Sequence, residues 1–151
     1  MLDDALDAHL RHHQAHRMES AMTQKSPSDI VAEYFAGFRS GDRTRIHATL
    51  TDDVEWVIHG QRTASGRAEF HGEIDNPAFT GKAELDVQRV HEDGAVVVAT
   101  GEGSGLSVTH GPIRFAFNNL FTFRDGLIAR VDTYVVPLVE DRRHDLLTPS
   151  S

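Results

Sequence analysis

The sequence has no cysteine, so disulfides, thiol nucleophiles and thiolate metal sites are excluded. It has no excess of basic charge. Its 15 Lys and Arg are outnumbered by 23 Asp and Glu, a formal net charge of −8. A phosphate-binding surface needs the opposite sign, so no nucleic-acid partner is expected. No apolar run approaches the roughly 20 residues of a membrane span, and no membrane partner is expected. The opening MLDDALDAHLRHH lacks the apolar stretch of a signal peptide. A cytoplasmic protein is the expectation. Tryptophan occurs once, as Trp56.

What is present fits one globular domain. The chain has 151 residues, of which 39% are hydrophobic. At that length about 70% of the unfolded chain's surface can be buried. Residues 1–27 differ from the rest and are read as an extension, helical or disordered. Leu2, Leu6 and Leu10 recur there at helical spacing. His9, His12, His13 and His16 share that spacing, which suits Zn²⁺ or Ni²⁺. No carboxylate pattern completes a catalytic centre, and no metal or cofactor is expected. Residues 28–137 form the domain, and 138–151 a polar tail.

Within the domain, Pro27 with Ser28 or Asp29 opens a helix that Gly41 stops. A second helix is expected over Arg43 to Leu50. The stretch DVEWVIHG reads as a strand with Val54, Trp56 and Ile58 on one face. Arg62 to Ser65 is its short return, and a third helix covers Arg67 to Ile74. NPAFTG reads as a loop. The second half alternates: AELDVQRVHEDG, AVVVATGEGSG, GPIRFAFNNLFTF and LIARVDTYVVP are strands joined by turns at Gly94 and RDG. The pattern is α+β: three helices on the concave face of a strongly curved antiparallel sheet, a cone with room for a small molecule.

The stretch FNNLFTF stands out. Alternation puts Phe117, Asn119, Phe121 and Phe123 on one face. A buried amide without a partner costs about 1–3 kcal/mol. Either Asn119 satisfies a neighbouring backbone group, or it lines a cavity and meets a ligand.

Two stretches, VAEYFAGFRSGDRTRIHATLTDDVEWVIHG and FRDGLIARVDTYV, carry a resemblance over about residues 28–137. The chain resembles the nuclear transport factor 2-like superfamily, in particular its SnoaL-like and ketosteroid-isomerase-like branch. That superfamily hosts isomerases, cyclases, dehydratases, epoxide hydrolases and proteins without catalysis. The resemblance places the isomerase's catalytic tyrosine on Tyr34. It places the general-base aspartate on Ile58, and the second oxyanion donor, a carboxyl held neutral by its apolar site, on Asn119. A carboxamide and a protonated carboxyl can each donate while neutral. Ile58 cannot take a proton. The epoxide-hydrolase pattern is also missing, since Gly101, Gly103 and Thr133 occupy its charged positions. Asp132 lies near the late acid–base aspartate of SnoaL-type cyclases, but alternation turns it away.

The bases that remain are His59, which alternation puts on the opposite face, and His71, at the rim on the third helix. Surface or interface roles are the alternative for both. Glu55 and Glu102 read as solvated. The expected catalytic set is therefore Tyr34, Asn119, His59 and His71. Phe38, Trp56, Ile58 and Phe70 are expected to line the pocket from the first half of the chain. Phe117, Phe121, Val131 and Thr133 would do so from the second. The ligand class is an apolar carbonyl or hydroxyl compound of steroid, polyketide or terpenoid type. The function is either cofactor-free isomerisation, cyclisation or dehydration, or binding without catalysis. A structural dimerisation module is the third alternative. The outer sheet face, with Arg114, Asn118, Leu120 and Thr122 beside Arg130, Asp132 and Tyr134, is expected to pair two copies as a homodimer.

Overall fold

The computed structural model describes residues 25–75 and 79–138. Residues 1–24 of the extension, nearly all of the polar tail and the first three residues of NPAFTG lie outside these residues. Helix α1 spans Pro27–Ser40. Its start is set by Pro27 and by Ser26, whose side chain accepts from the Asp29 amide. Gly41 ends it in the left-handed conformation, φ 66°. Val31, Tyr34 and Phe35 form its buried stripe. Helix α2 is Arg43–His47, capped by Asp42. It stops three residues short of the expected Leu50, because Leu50 already opens the first strand.

The remaining elements are β1 (Leu50–Ile58), β2 (Arg62–Ser65), α3 (Gly66–Ile74), β3 (Phe79–Asp93), β4 (Val96–Ser107), β5 (Gly111–Arg124) and β6 (Leu127–Pro137). They build one six-stranded sheet in the order β2-β1-β6-β5-β4-β3. The sequence leads one to expect a wholly antiparallel sheet, but the sheet is mixed, because β1 and β6 run parallel. Their partnership spans some seventy residues, and no turn signal reports the direction of so distant a pair. Strand β3 also begins earlier than expected, at Phe79.

Helices α1 and α3 pack on the sheet face that carries Val97, Phe121 and Val131, each fully buried. The fold is an α+β cone. Burying one such side chain contributes about 1.5–3 kcal/mol. Strand β4 runs straight through GEGSG. Gly101 and Gly103 pair with Phe117 and Phe115. A Cβ on Gly103 would come within 2.6 Å of the Phe115 ring, and one on Gly101 within 3.0 Å of the Phe117 ring. Gly103 therefore leaves room for the Phe115 ring, whereas at Gly101 the nearer obstacle is the Asp86 carbonyl of β3, with the Phe117 ring beyond it. Among the described residues, no helix is long and apolar enough to cross a membrane.

Candidate functional site

The site forms where β1, β6 and β5 lie side by side. Register places Ile58 opposite Thr133, and Thr133 opposite Asn119. Trp56 lies one pleat away, opposite Val131. Its indole Nε1 donates to Thr133 Oγ1 at 2.8 Å, and Thr133 Oγ1 donates to Asn119 Oδ1 at 2.7 Å. The direction follows from chemistry. An indole N–H can only donate, so the threonine oxygen accepts there and its single proton passes on to the amide oxygen. The relay consumes the amide's acceptor and leaves its NH2 group without a protein partner among the described residues. Asn119 and Thr133 are both buried.

Tyr34 approaches from α1 and is almost fully buried. Its ring centroid lies 4.8 Å from Phe38, 5.1 Å from Phe121 and 6.2 Å from Phe70. Phe70 in turn lies 4.7 Å from Trp56, and Phe38 6.3 Å from it. Helix α3 thus sets Phe70 between the tyrosine and the indole. Burial pushes the Tyr34 hydroxyl up from its ordinary 10, so it stays a neutral donor. This hydroxyl also lacks a hydrogen-bond partner among the described residues. The fully sealed, unpartnered side-chain atoms there are His47 Nε2, Thr51 Oγ1 and Arg67 Nε.

Tyr34, Phe38, Trp56, Phe70 and Phe121 are therefore one aromatic group, with Thr133 and Asn119 at its polar edge. Ile58 and Val131 are buried beside them. Phe117 joins the group through Phe35, which lies 6.0 Å from it, 5.4 Å from Tyr34 and 5.8 Å from Phe121.

The two histidines lie elsewhere. His59 donates its backbone N–H to the Thr133 carbonyl. Its side chain turns to the other face, where Nε2 lies 2.9 Å from Asp132 Oδ1 and the ring stacks on Tyr134 at 4.2 Å. Arg130 grips the same carboxylate at 2.9–3.2 Å and reaches Glu55 at 3.2 Å. Hydrogen bonds from Arg130, and then from His59, hold the Asp132 carboxyl below its ordinary 3.8 against the opposing effect of burial. His71 faces His47, with ring centroids 5.3 Å apart, and pairs with Asp75 at 3.2 Å. Neither histidine side chain joins the Trp56–Thr133–Asn119 relay. Glu102 is 3.9 Å from Arg114, at the surface.

The relay escaped sequence reading. Trp56 and Thr133 were each expected to line a pocket, but their bond depends on a register between strands far apart in the chain. His47 was passed over too. The one local signal near it was the i, i+4 spacing of His71 and Asp75.

The molecule is thus a cone whose concave face presents neutral hydrogen-bond donors among aromatic rings. The SnoaL-like domain family model matches residues 31–131, and the chain belongs to that family. Its fold is nuclear transport factor 2-like. Among solved structures it is similar to a candidate polyketide cyclase from Xanthomonas campestris pv. campestris, with TM-score 0.64 and 24% identity, over 71% of this chain and 87% of that one. It is similar to an LEH-like epoxide hydrolase of M. tuberculosis, with TM-score 0.63 and 18% identity, over 72% and 80%. A candidate ketosteroid isomerase from Kribbella flavida matches with TM-score 0.62 and 19% identity, over 82% and 88%. At these identities the likeness concerns the fold. No curated protein matches the chain.

Proposed function

We propose that the concave face binds a neutral, apolar small molecule by a carbonyl or hydroxyl oxygen, of steroid, polyketide or terpenoid type. The Asn119 amide and the Tyr34 hydroxyl are the donors. The observation that carries this reading is the relay, which uses the amide's oxygen and leaves its NH2 group free for a ligand. Trp56, Phe70, Phe38 and Phe121 supply the apolar walls, with Ile58, Val131 and Phe117 behind them. Binding without turnover is the preferred form. Ile58 stands where a base would act, and His59 and His71 are bonded to Asp132 and Asp75.

The test uses Trp56 as reporter. Wild type and Asn119→Leu are titrated with planar phenols and enones while the indole fluorescence is followed. The variant is expected to lose about 1–3 kcal/mol of affinity, roughly 5- to 150-fold. Equal binding by both proteins, or none by either, defeats the reading.

Catalysis by proton transfer is the second reading, favoured by the enzyme names of two relatives of the same fold. It needs product to appear when a compound bound in the first assay is incubated with wild type. The proposal includes a homodimer through the outer face around Leu120 and Tyr134. Sedimentation showing only a 16.7 kDa species would sink that part. A cytoplasmic location completes it.

A further inference from the structure

Helix α3 places Phe70 against Trp56 and Tyr34, and the next residue is His71. On its outer side α3 meets α2 through the His71 and His47 rings, 5.3 Å apart and inclined at 67°. His47 is half-buried, and its Nε2 atom is covered and has no hydrogen-bond partner among the described residues. The charged groups that face His47 are Arg43 from α2, and His71 and Arg67 from α3. The nearby carboxylate, Asp75, is already shared by Arg43 and His71. Arg67 is tied to Asp52 and to the Leu50 carbonyl. Glu73, further along α3, is held by Arg62.

We propose that the His47–His71 pair is an acid-sensitive clasp that holds α3, and with it Phe70, closed over the concave site. The regulation rests on that face being a binding site, whereas the motion does not. Protonating Nε2 creates a cationic N–H with no acceptor, in a place where Arg43, Arg67 and His71 already compete for few carboxylates. Such a charge leaves its site most easily by moving α3 away from α2. Burial, and then the His71, Arg67 and Arg43 charges, hold the His47 imidazole below its ordinary 6.5. The sign follows: the closed form takes up fewer protons than the open one. It is therefore favoured near neutral pH and lost as pH falls below about 6.5.

The experiment needs no ligand, so it can fail while the binding reading stands, or the reverse. Trp56 emission and its quenching by acrylamide are followed in the free protein from pH 7.5 to 5, with far-UV circular dichroism alongside. The expected result is a red shift and stronger quenching with a midpoint below pH 6.5, at constant far-UV signal. His47→Gln is expected to abolish the step, and His59→Gln to leave it in place. Native-state hydrogen exchange at pH 7 and 5.5 should show selective loss of protection in α3. That measurement decides the matter if His47→Gln does not fold. No step in wild type, an unchanged step in His47→Gln, loss of the far-UV signal in the same step, or uniform protection in α3 would each overturn the clasp.

Discussion

The two faces of β6 use alternate residues of one strand for opposite chemistry. Val131 and Thr133 point into the cone, where the polar groups are neutral and share a single line of hydrogen bonds. Arg130, Asp132 and Tyr134 point out, where Glu55, Arg130, Asp132 and His59 form a charged chain. Residues adjacent in sequence thus stand in different electrostatic surroundings. The inner face excludes charge because aromatic rings cover it, and burial pushes the Tyr34 hydroxyl further above its ordinary 10. The outer face keeps a buried carboxylate because two partners reach it. The contrast explains why the two faces should respond differently to the same kind of substitution.

The largest effect is expected inside. Phe121→Ala removes a ring that meets both Tyr34 and Phe35, and should destabilise by about 3–5 kcal/mol in urea unfolding. A loss under about 1 kcal/mol would mean that the inner face is loosely packed. Next comes the outer carboxylate. Asp132→Asn leaves Arg130 and His59 without their charged partner, at a cost of about 1–3 kcal/mol, because Arg130 is half exposed and water replaces part of the interaction. Since the carboxyl is held below its ordinary value, its contribution is complete above about pH 4 and vanishes as pH falls through the lowered value. The gap between wild type and variant should therefore close in acid. A gap that is constant with pH would contradict the ion-pair account.

The smallest effect on stability is expected at the relay. Thr133→Val leaves the Trp56 N–H and the Asn119 oxygen without each other's link and should cost about 1–2 kcal/mol. Its diagnostic feature is a shift in Trp56 emission, which His59→Gln at neutral pH should not produce. If both variants shift the indole alike, the two faces are not independent.

Much of the architecture could be read from residue order. The N-cap and Gly41 bracket α1 because capping is local chemistry. The alternation of FNNLFTF and LIARVDTYVV assigns inner and outer faces because pleating has a period of two. That sufficed to put Asn119 inside, and Asp132 and His59 outside. It did not suffice to explain the glycines of GEGSG, where Gly103 yields to the Phe115 ring of β5 and Gly101 to the Asp86 carbonyl of β3. Nor did it reveal the parallel pairing of β1 with β6, which joins Trp56 and Ile58 to Val131 and Thr133. Polar atoms in contact across that pairing come from elements some seventy residues apart, and local spacing carries no record of distance or register. Residue order therefore dictated which side chains face inward and that the inward face is aromatic and uncharged. Only strand pairing decided that Trp56 bonds Thr133 and that Thr133 bonds Asn119. Helix and strand periods are set within a few residues, whereas a hydrogen bond needs its two atoms within about 3 Å, and only the folded chain brings them there.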